Sequence, residues 1–149
     1  NSGTVRYAID SICNRKSFSG DLHAMKENRQ VINYVSQNRG ALGIIGVNWI
    51  SNPSDTSNMS FSENIKVMAV SPYRHATATN SFKPYQAYIA LKKYPMSRPV
   101  YLILSEPRMG LASGFTTFIA SDRGQRIILK SGILPATQPV RLVNVRDQL

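Results

Sequence analysis

The sequence has very few of the residues that hold metals or form disulfides. Its 149 residues include one cysteine, Cys13, and two histidines, His23 and His75. A single cysteine excludes an internal disulfide framework and a cysteine-rich metal centre. The two histidines lie far apart in the sequence, and the eight acidic residues show no recognisable motif spacing. We therefore expect no metal site and no cofactor.

The residue patterns of nucleophilic catalysis are also missing. No G-x-S-x-G segment is present, so the sequence contains no nucleophile elbow. No pair of carboxylates stands at a spacing that suggests general acid and base work. We predict no catalytic residues, and a small hydrolase is the least supported of the function classes considered.

Negative charge and long apolar runs are scarce. Lysine and arginine total 18 and aspartate and glutamate 8, so the net charge is +10. Apolar runs such as residues 41–45 and 100–104 are too short to span a bilayer, and no signal peptide is recognisable. The apolar fraction of 42% is enough for a core and argues against disorder. The charge fits a nucleic-acid binder, a protein that handles small anions, or neither.

Apolar residues recur at helical spacing in three stretches. The first begins at the N-cap Ser2, the second spans residues 25–38 and ends before Gly40, and the third is capped by Ser113 and ends near Lys130. Residues 85–91 fit either a short strand or one helical turn. The first stretch carries one apolar stripe, formed by Val5, Ala8, Ile9, Ile12 and Cys13.

Four further segments have the apolar character of strands. Residues 41–47 are apolar throughout and contain two glycines, which predicts a buried strand with close backbone approach. Residues 65–70, 100–104 and 140–145 are the other predicted strands. Helices that alternate with such strands indicate an α/β fold. The charge changes near Lys92, because residues 92–149 carry nine basic and only three acidic side chains, and this favours a boundary there.

The turn formed by Ser2, Gly3 and Thr4 is suited to an anion. The first turn of a helix has N–H groups without an intrahelical acceptor, and the helix dipole adds partial positive charge. Gly3 allows close approach to the main chain, while Ser2 and Thr4 add hydroxyl donors. Taken alone, the tripeptide fits an ordinary N-cap better than an anion site.

A second hypothesis places nucleic acid on a basic and aromatic segment. Nucleic-acid surfaces interleave cations with aromatic rings. The closest approach to that pattern is formed by Lys92, Lys93, Tyr94, Arg98 and Tyr101. The same residues also fit a solvated face, and no named nucleic-acid motif is present.

Four motifs in a fixed order give the sequence a family resemblance. They are the S-G-T start with Arg6 and Tyr7, the helix–strand unit of residues 31–46, the YPMSRPVY segment at 94–101, and residues 115–135, which contain SDRGQ and GILP. Together they resemble the phosphate-binding proteins of bacterial phosphate ABC importers, especially the shorter versions of Bacteroidetes. The last two motifs are the most specific.

The resemblance implies a periplasmic-binding-protein-like fold of type II. Each of its two lobes has a mixed sheet flanked by helices, and the ligand lies in the cleft between the lobes. Residues 1–92 correspond to the second lobe. Residues 93–149 form a return segment that contributes a strand and a helix to the first lobe.

The resemblance also implies a function. Inorganic phosphate would be bound without catalysis, and Ser2, Gly3 and Thr4 are the ligand residues that carry over. The partner would be the membrane permease of the importer, with no nucleic acid. The location would be periplasmic, either free or as a lipoprotein facing the periplasm. The alternatives are a binding protein for another oxyanion and a basic nucleic-acid-binding module.

The sequence departs from the family at its start. It begins at the S-G-T motif, without the main part of the first lobe and without the arginine that usually precedes the motif. We therefore expect a C-terminal portion of a longer protein that binds phosphate weakly or not at all by itself. We also expect the apolar residues after Lys92 either to repack on residues 1–91 or to be exchanged in an intertwined homodimer.

Overall fold

The computed structural model describes residues 3–16, 20, 22–52, 61–105 and 108–137. These residues form two compact units. One contains the described residues of Asn1–Ile50 together with Ser62–Lys66, and the other contains those of Ser51–Phe61 and Val67–Leu149. Each unit is described separately below.

The first unit begins with a helix that changes its winding. Helix α1 spans Gly3–Tyr7 and continues directly into a π-helical turn, Ala8–Ile12, in which the Cys13 N–H donates to the Ala8 carbonyl at 3.0 Å. The predicted helix is confirmed, but its apolar stripe is not continuous. A π turn contains one residue more than an α turn, so later side chains are rotated back. Accordingly, Ala8 is 2% exposed, whereas Ile12 is 47% exposed.

Helix α2 spans Asn28–Gln37 and confirms the second predicted helix. At its start the Glu27 N–H donates to the Gln30 side-chain oxygen at 3.3 Å. At its end the Asn38 side-chain amide donates to the Tyr34 carbonyl at 2.8 Å. Gly40 follows with a φ of +85°, a left-handed conformation that glycine adopts without a Cβ penalty.

The prediction of a buried strand at residues 41–47 is wrong. Residues 41–46 lie outside any helix or ladder, and Leu42 is 71% exposed. The close backbone approach is nevertheless present, because a Cβ on Gly43 would lie 2.9 Å from Val35 Cγ2 and 3.0 Å from Val31 Cγ1. A 3-10 turn, Val47–Trp49, follows. The segment therefore packs its backbone on α2 without forming strand ladders.

The second unit contains helices α3 (Gln86–Ala90), α4 (Leu111–Ala120) and α5 (Asp122–Lys130). The single long helix predicted over this last stretch is wrong, because Ser121 separates α4 from α5 with an extended ψ of 164°. Ser113 is not the N-cap of α4. It lies in the first turn, where its Oγ accepts from the Gly110 N–H at 2.9 Å.

Two glutamine side chains connect the elements of this unit. Gln125 is 4% exposed; its Nε2 donates to the Ile119 carbonyl at 2.9 Å, and its Oε1 accepts from the Ala136 N–H at 2.7 Å. The Gln86 Nε2 donates to the carbonyls of Leu129 and Ile133 at 2.8 and 3.0 Å. The chain after α5 is thus held by side chains rather than by a ladder.

An aromatic cluster lies beside α3. The Phe61 and Tyr85 rings stack with centroids 5.0 Å apart, and Phe82 lies 5.0 Å from Tyr88. The Lys93 Nζ lies 5.7 Å from the centre of the Phe82 ring. This contact is short enough for a cation–π attraction, so Lys93 has a structural partner.

The predicted mixed sheet is not confirmed. Within the described ranges, pairing between chain segments is limited to the isolated bridges Ser51↔Phe61 and Val70↔Phe82. Residues 100–104 form no strand there, and Val100 and Ile103 are 79% and 89% exposed. The strand predicted at 140–145 lies outside the described residues. A strand forms only when a second strand satisfies its backbone, and an apolar run does not specify that partner.

Membrane-spanning length is not reached in the part of the chain described here. None of its helices combines the length and the apolar composition that a bilayer crossing needs.

Candidate functional site

The predicted anion-binding turn lies at the start of α1. The helix begins at Gly3, the second residue of the tripeptide, and Thr4 occupies the next helical position. Gly3 is exposed and Thr4 half-buried, so a small solute can reach both. Ser2 lies outside the described residues. Two of the three predicted ligand residues are therefore placed in one helical turn.

The electrostatics of this turn come mainly from the backbone. Residues 3–12 are helical without interruption, since α1 continues into the π turn. Aligned peptide dipoles give the N-terminal end of a helix a partial positive charge. Arg6 adds a full positive charge in the same short helix, and Asp10 lies one turn further on.

The groups described at the turn are hydrogen-bond donors. Backbone N–H groups and a threonine hydroxyl donate hydrogen bonds to an anion. The turn contains no histidine, cysteine or carboxylate that could act as a base or a nucleophile. An oxyanion such as phosphate or sulfate matches this donor set.

The histidines occupy separate and unremarkable surroundings. The His23 ring lies 5.4 Å from the Tyr34 ring, and His75 uses its backbone carbonyl to accept from the Asn80 side-chain amide at 3.1 Å. Among the residues that the structure describes, no group of three or more possible ligands could hold a metal ion.

In the basic and aromatic segment considered for nucleic acid, Lys93 has a ring partner outside the segment. Lys93 faces the Phe82 ring, while Arg98 and Tyr101 are exposed. No ring contact or ion pair within the described ranges joins Lys92, Arg98 or Tyr101.

The described residues form two surface recesses that were not predicted from the sequence. One, of about 530 Å³, is lined by Lys26, Glu27, Asn28, Arg29 and Trp49. The other, of about 380 Å³, lies on α4 and α5 and is lined by Phe118, Arg123, Arg126, Ile127 and Lys130. The cations of the second recess could have been found in the sequence. Arg123, Arg126 and Lys130 stand at positions i, i+3 and i+7, and helical spacing places such residues on one face.

Comparison with known proteins gives one match. Residues 1–123 match the family model described as PBP superfamily domain. A search among curated proteins and a search among solved structures each gave no match to the chain. The matched range contains the S-G-T start, the helix–strand unit and the YPMSRPVY segment, which are three of the four motifs seen in the sequence.

Proposed function

Because the chain belongs to the family of PBP superfamily domains, we propose that it is part of a phosphate-binding protein serving an ABC importer. Domains of this family are typically non-catalytic and extracytoplasmic, they bind solutes, and the match supports a periplasmic-binding-protein-like fold. The proposal adds the solute, which is inorganic phosphate, and the partner, which is the importer's membrane permease.

The observation that carries the proposal is the start of α1 at Gly3. This helix start coincides with the S-G-T motif, so the backbone donors of the first turn and the Thr4 hydroxyl are next to each other. Charge-assisted hydrogen bonds from such donors offset the cost of removing water from phosphate. We assign Ser2, Gly3 and Thr4 as ligands, and no catalytic residue.

The remaining assignments follow the family resemblance. Residues 1–92 belong to the second lobe, and residues 93–149 form the return segment to the first lobe. Closure of two lobes on a hinge would couple phosphate binding to recognition by the permease. The protein would act in the periplasm, either free or anchored as a lipoprotein.

An intertwined homodimer of this chain is part of the proposal. The exposure of residues 100–104 supports it, since Val100, Tyr101 and Ile103 are all more than three-quarters exposed. Five consecutive apolar residues in water favour burial against another surface. Exchange of this segment between two chains would provide that surface.

A titration with inorganic phosphate tests the ligand and the site. We expect the amide NMR signals of Gly3 and Thr4 to shift with a Kd of about 1 mM or weaker, equivalent to about −4 kcal/mol or less favourable, because one turn supplies few donors. Thr4→Val should weaken this binding about tenfold or more through loss of one hydrogen bond to a charged group. Thr77→Val, at an exposed threonine, is the matched control.

Sulfate and molybdate are titrated in parallel. Tighter binding of either anion than of phosphate would show that the solute is another oxyanion and not phosphate. Micromolar phosphate binding in calorimetry would contradict weak binding by the chain alone. Phosphate shifts that leave Gly3 and Thr4 unchanged would contradict the assigned site.

A further inference from the structure

The loop of residues 71–81 is closed at its base by two backbone hydrogen bonds. The Val70 N–H donates to the Phe82 carbonyl at 2.9 Å, and the Phe82 N–H donates to the Val70 carbonyl at 3.0 Å. The Phe82 ring lies 5.0 Å from the Tyr88 ring of α3, and the Lys93 Nζ lies 5.7 Å from the centre of the Phe82 ring. The two ends of the loop are therefore held together beside a helix, as in compact Ω-loops.

One side chain, Asn80, holds the interior of the 71–81 loop. Its Oδ1 accepts from the Ser71 hydroxyl at 2.9 Å and from the Thr77 N–H at 2.8 Å, and its Nδ2 donates to the His75 carbonyl at 3.1 Å. The Tyr73 N–H donates to the Ser71 Oγ at 3.1 Å. Because these bonds join positions along the whole loop, the loop has a defined conformation without a partner.

The loop and its base expose one large ring and three cations. Residues 72–79 are all exposed, and they include Arg74 and Tyr73, which is 68% exposed. Lys83 follows the base directly, and both it and Lys93 are exposed. None of the three cations forms an ion pair with a described residue.

The chain around the loop lacks negative charge. Residues 67–105, which belong to the second unit, contain five lysines and arginines and no aspartate or glutamate. Cations without acidic neighbours produce a positive potential that attracts an oppositely charged surface. Charge complementarity therefore favours an acidic partner for this loop.

We propose that the 71–81 loop docks on an acidic surface of a partner protein, with Tyr73 and Arg74 as the main contacts. Tyrosine and arginine are among the residues that carry most of the binding energy in protein interfaces. A loop that is already ordered loses little conformational entropy when it binds. The proposal concerns a surface separate from the S-G-T turn and does not depend on the solute.

The composition of the exposed residues favours a protein over a nucleic acid or a membrane. Single-stranded nucleic acids stack successive bases on several aromatic side chains, whereas residues 72–79 contain one tyrosine and no phenylalanine or tryptophan. A membrane interface is entered by large apolar side chains, and the other apolar residues of this range are a proline and two alanines. A loop of fixed shape with few charges instead suits the surface of a folded protein.

A titration of the 149-residue chain with a poly-glutamate peptide, followed by amide NMR, tests this surface. We expect shifts at Tyr73, Arg74 and Lys83 that diminish as salt is raised, because salt screens the attraction. The absence of shifts, or shifts confined to other residues, would overturn the assigned loop. Oligothymidylate and phosphatidylglycerol vesicles are titrated in parallel, and tighter binding of either than of the peptide would overturn the assignment to a protein partner.

Matched variants separate this loop from net charge alone. Arg74→Gln with Lys83→Gln should weaken peptide binding about tenfold, at about threefold per exposed cation. The control, Arg123→Gln with Lys130→Gln, removes two exposed cations of α5 and should change binding less than about twofold. Equal losses in the two double variants would show that only net charge matters and would overturn the assigned loop.

The fixed conformation of the loop has its own variant. Asn80→Ala removes the side-chain bonds of Asn80 and leaves Tyr73 and Arg74 in place. It should weaken peptide binding about threefold or more, because the loop must then be ordered on binding, and it should speed amide hydrogen exchange at Thr77. Thr79→Ala is the control, since it leaves the bonds of Asn80 intact. Unchanged binding or unchanged exchange in Asn80→Ala would overturn the role of the ordered loop.

The phosphate site provides a separate readout for these variants. Phosphate shifts at Gly3 and Thr4 should be unchanged in all of them, so this test and that of the phosphate site fail separately.

Discussion

At the scale of single residues, Gly124 has the least space for an added Cβ among the described glycines. It is buried in the first turn of α5, and an added Cβ would meet the carbonyl oxygens of Phe118 and Ile119. Both oxygens belong to the backbone near the end of α4. They cannot move aside as the tip of a flexible side chain could. The close approach of α5 to α4 is therefore possible because Gly124 has no side chain.

Gly124→Ala is expected to destabilise the chain by about 1–3 kcal/mol, as overpacking does, although alanine favours helix formation. Gly114→Ala is the control, because Gly114 lies within α4 with no atom within 4 Å of an added Cβ. This control should stabilise by about 0.5–1 kcal/mol. Urea unfolding of both variants measures the difference, and equal effects would refute the close approach at Gly124.

The glycines show which residue roles are visible in a sequence. Gly40 follows a predicted helix end and has a φ of +85°, and Gly132 follows the end of α5 with a φ of +83°. The role of Gly124 was not predicted, because it depends on how α5 approaches α4 after Ser121. Local spacing predicts a helix end, whereas contact between two helices needs their packing.

At the scale of elements, Gln125 holds the α4–α5 pair to the chain that follows. Gln125→Leu keeps the volume of the side chain but removes its bonds to Ile119 and Ala136. Loss of these bonds at a buried position should cost about 1–3 kcal/mol. Gln37→Leu, at an exposed residue that ends α2, should change stability by less than about 0.5 kcal/mol. Thermal unfolding compares the two, and similar Tm values would contradict the role of Gln125.

Helices were predicted better than strands for a physical reason. The hydrogen bonds of α2 join residues four apart, so its pattern and its caps are contained in residues 27–40. A strand at 41–47 or 100–104 would need partners that the local sequence does not identify. The division of the long helix has a different cause. Residues 121–126 are all polar or glycine, and Ser121 accepts from the Gly124 N–H as the N-cap of α5.

Only one feature of the candidate site, the start of a helix, could be predicted from the sequence. The sequence indicated a turn at Ser2, Gly3 and Thr4, and α1 does begin at Gly3. The π turn after Tyr7 was not predicted, because five-residue hydrogen-bond spacing leaves no distinct apolar period over so short a length. The proposal that this helix start binds a solute rests on the S-G-T resemblance together with the position of Gly3 and Thr4 in the first turn of α1.

At the scale of the whole molecule, we expect the exposed apolar segment of residues 100–104 to cause self-association. Light scattering over a range of concentrations should show a dimer. Leu102→Lys together with Ile103→Lys should weaken it at least tenfold, because these changes place charge on a segment that the dimer would bury. Leu42→Lys, at another exposed apolar residue, serves as the control. A monodisperse monomer at every concentration would rule out exchange between chains.

Residues 100–104 also determine where the chain is open to cleavage. They follow Pro99, lie outside any helix or ladder, and have side chains that are 42% to 89% exposed. A protease requires an accessible stretch of backbone that can leave its local structure at little cost. Tyr101 and the leucines at 102 and 104 supply the side chains that chymotrypsin-like specificity pockets accept. We therefore expect proteolytic cleavage between α3 and α4, and protection from it whenever this segment is covered.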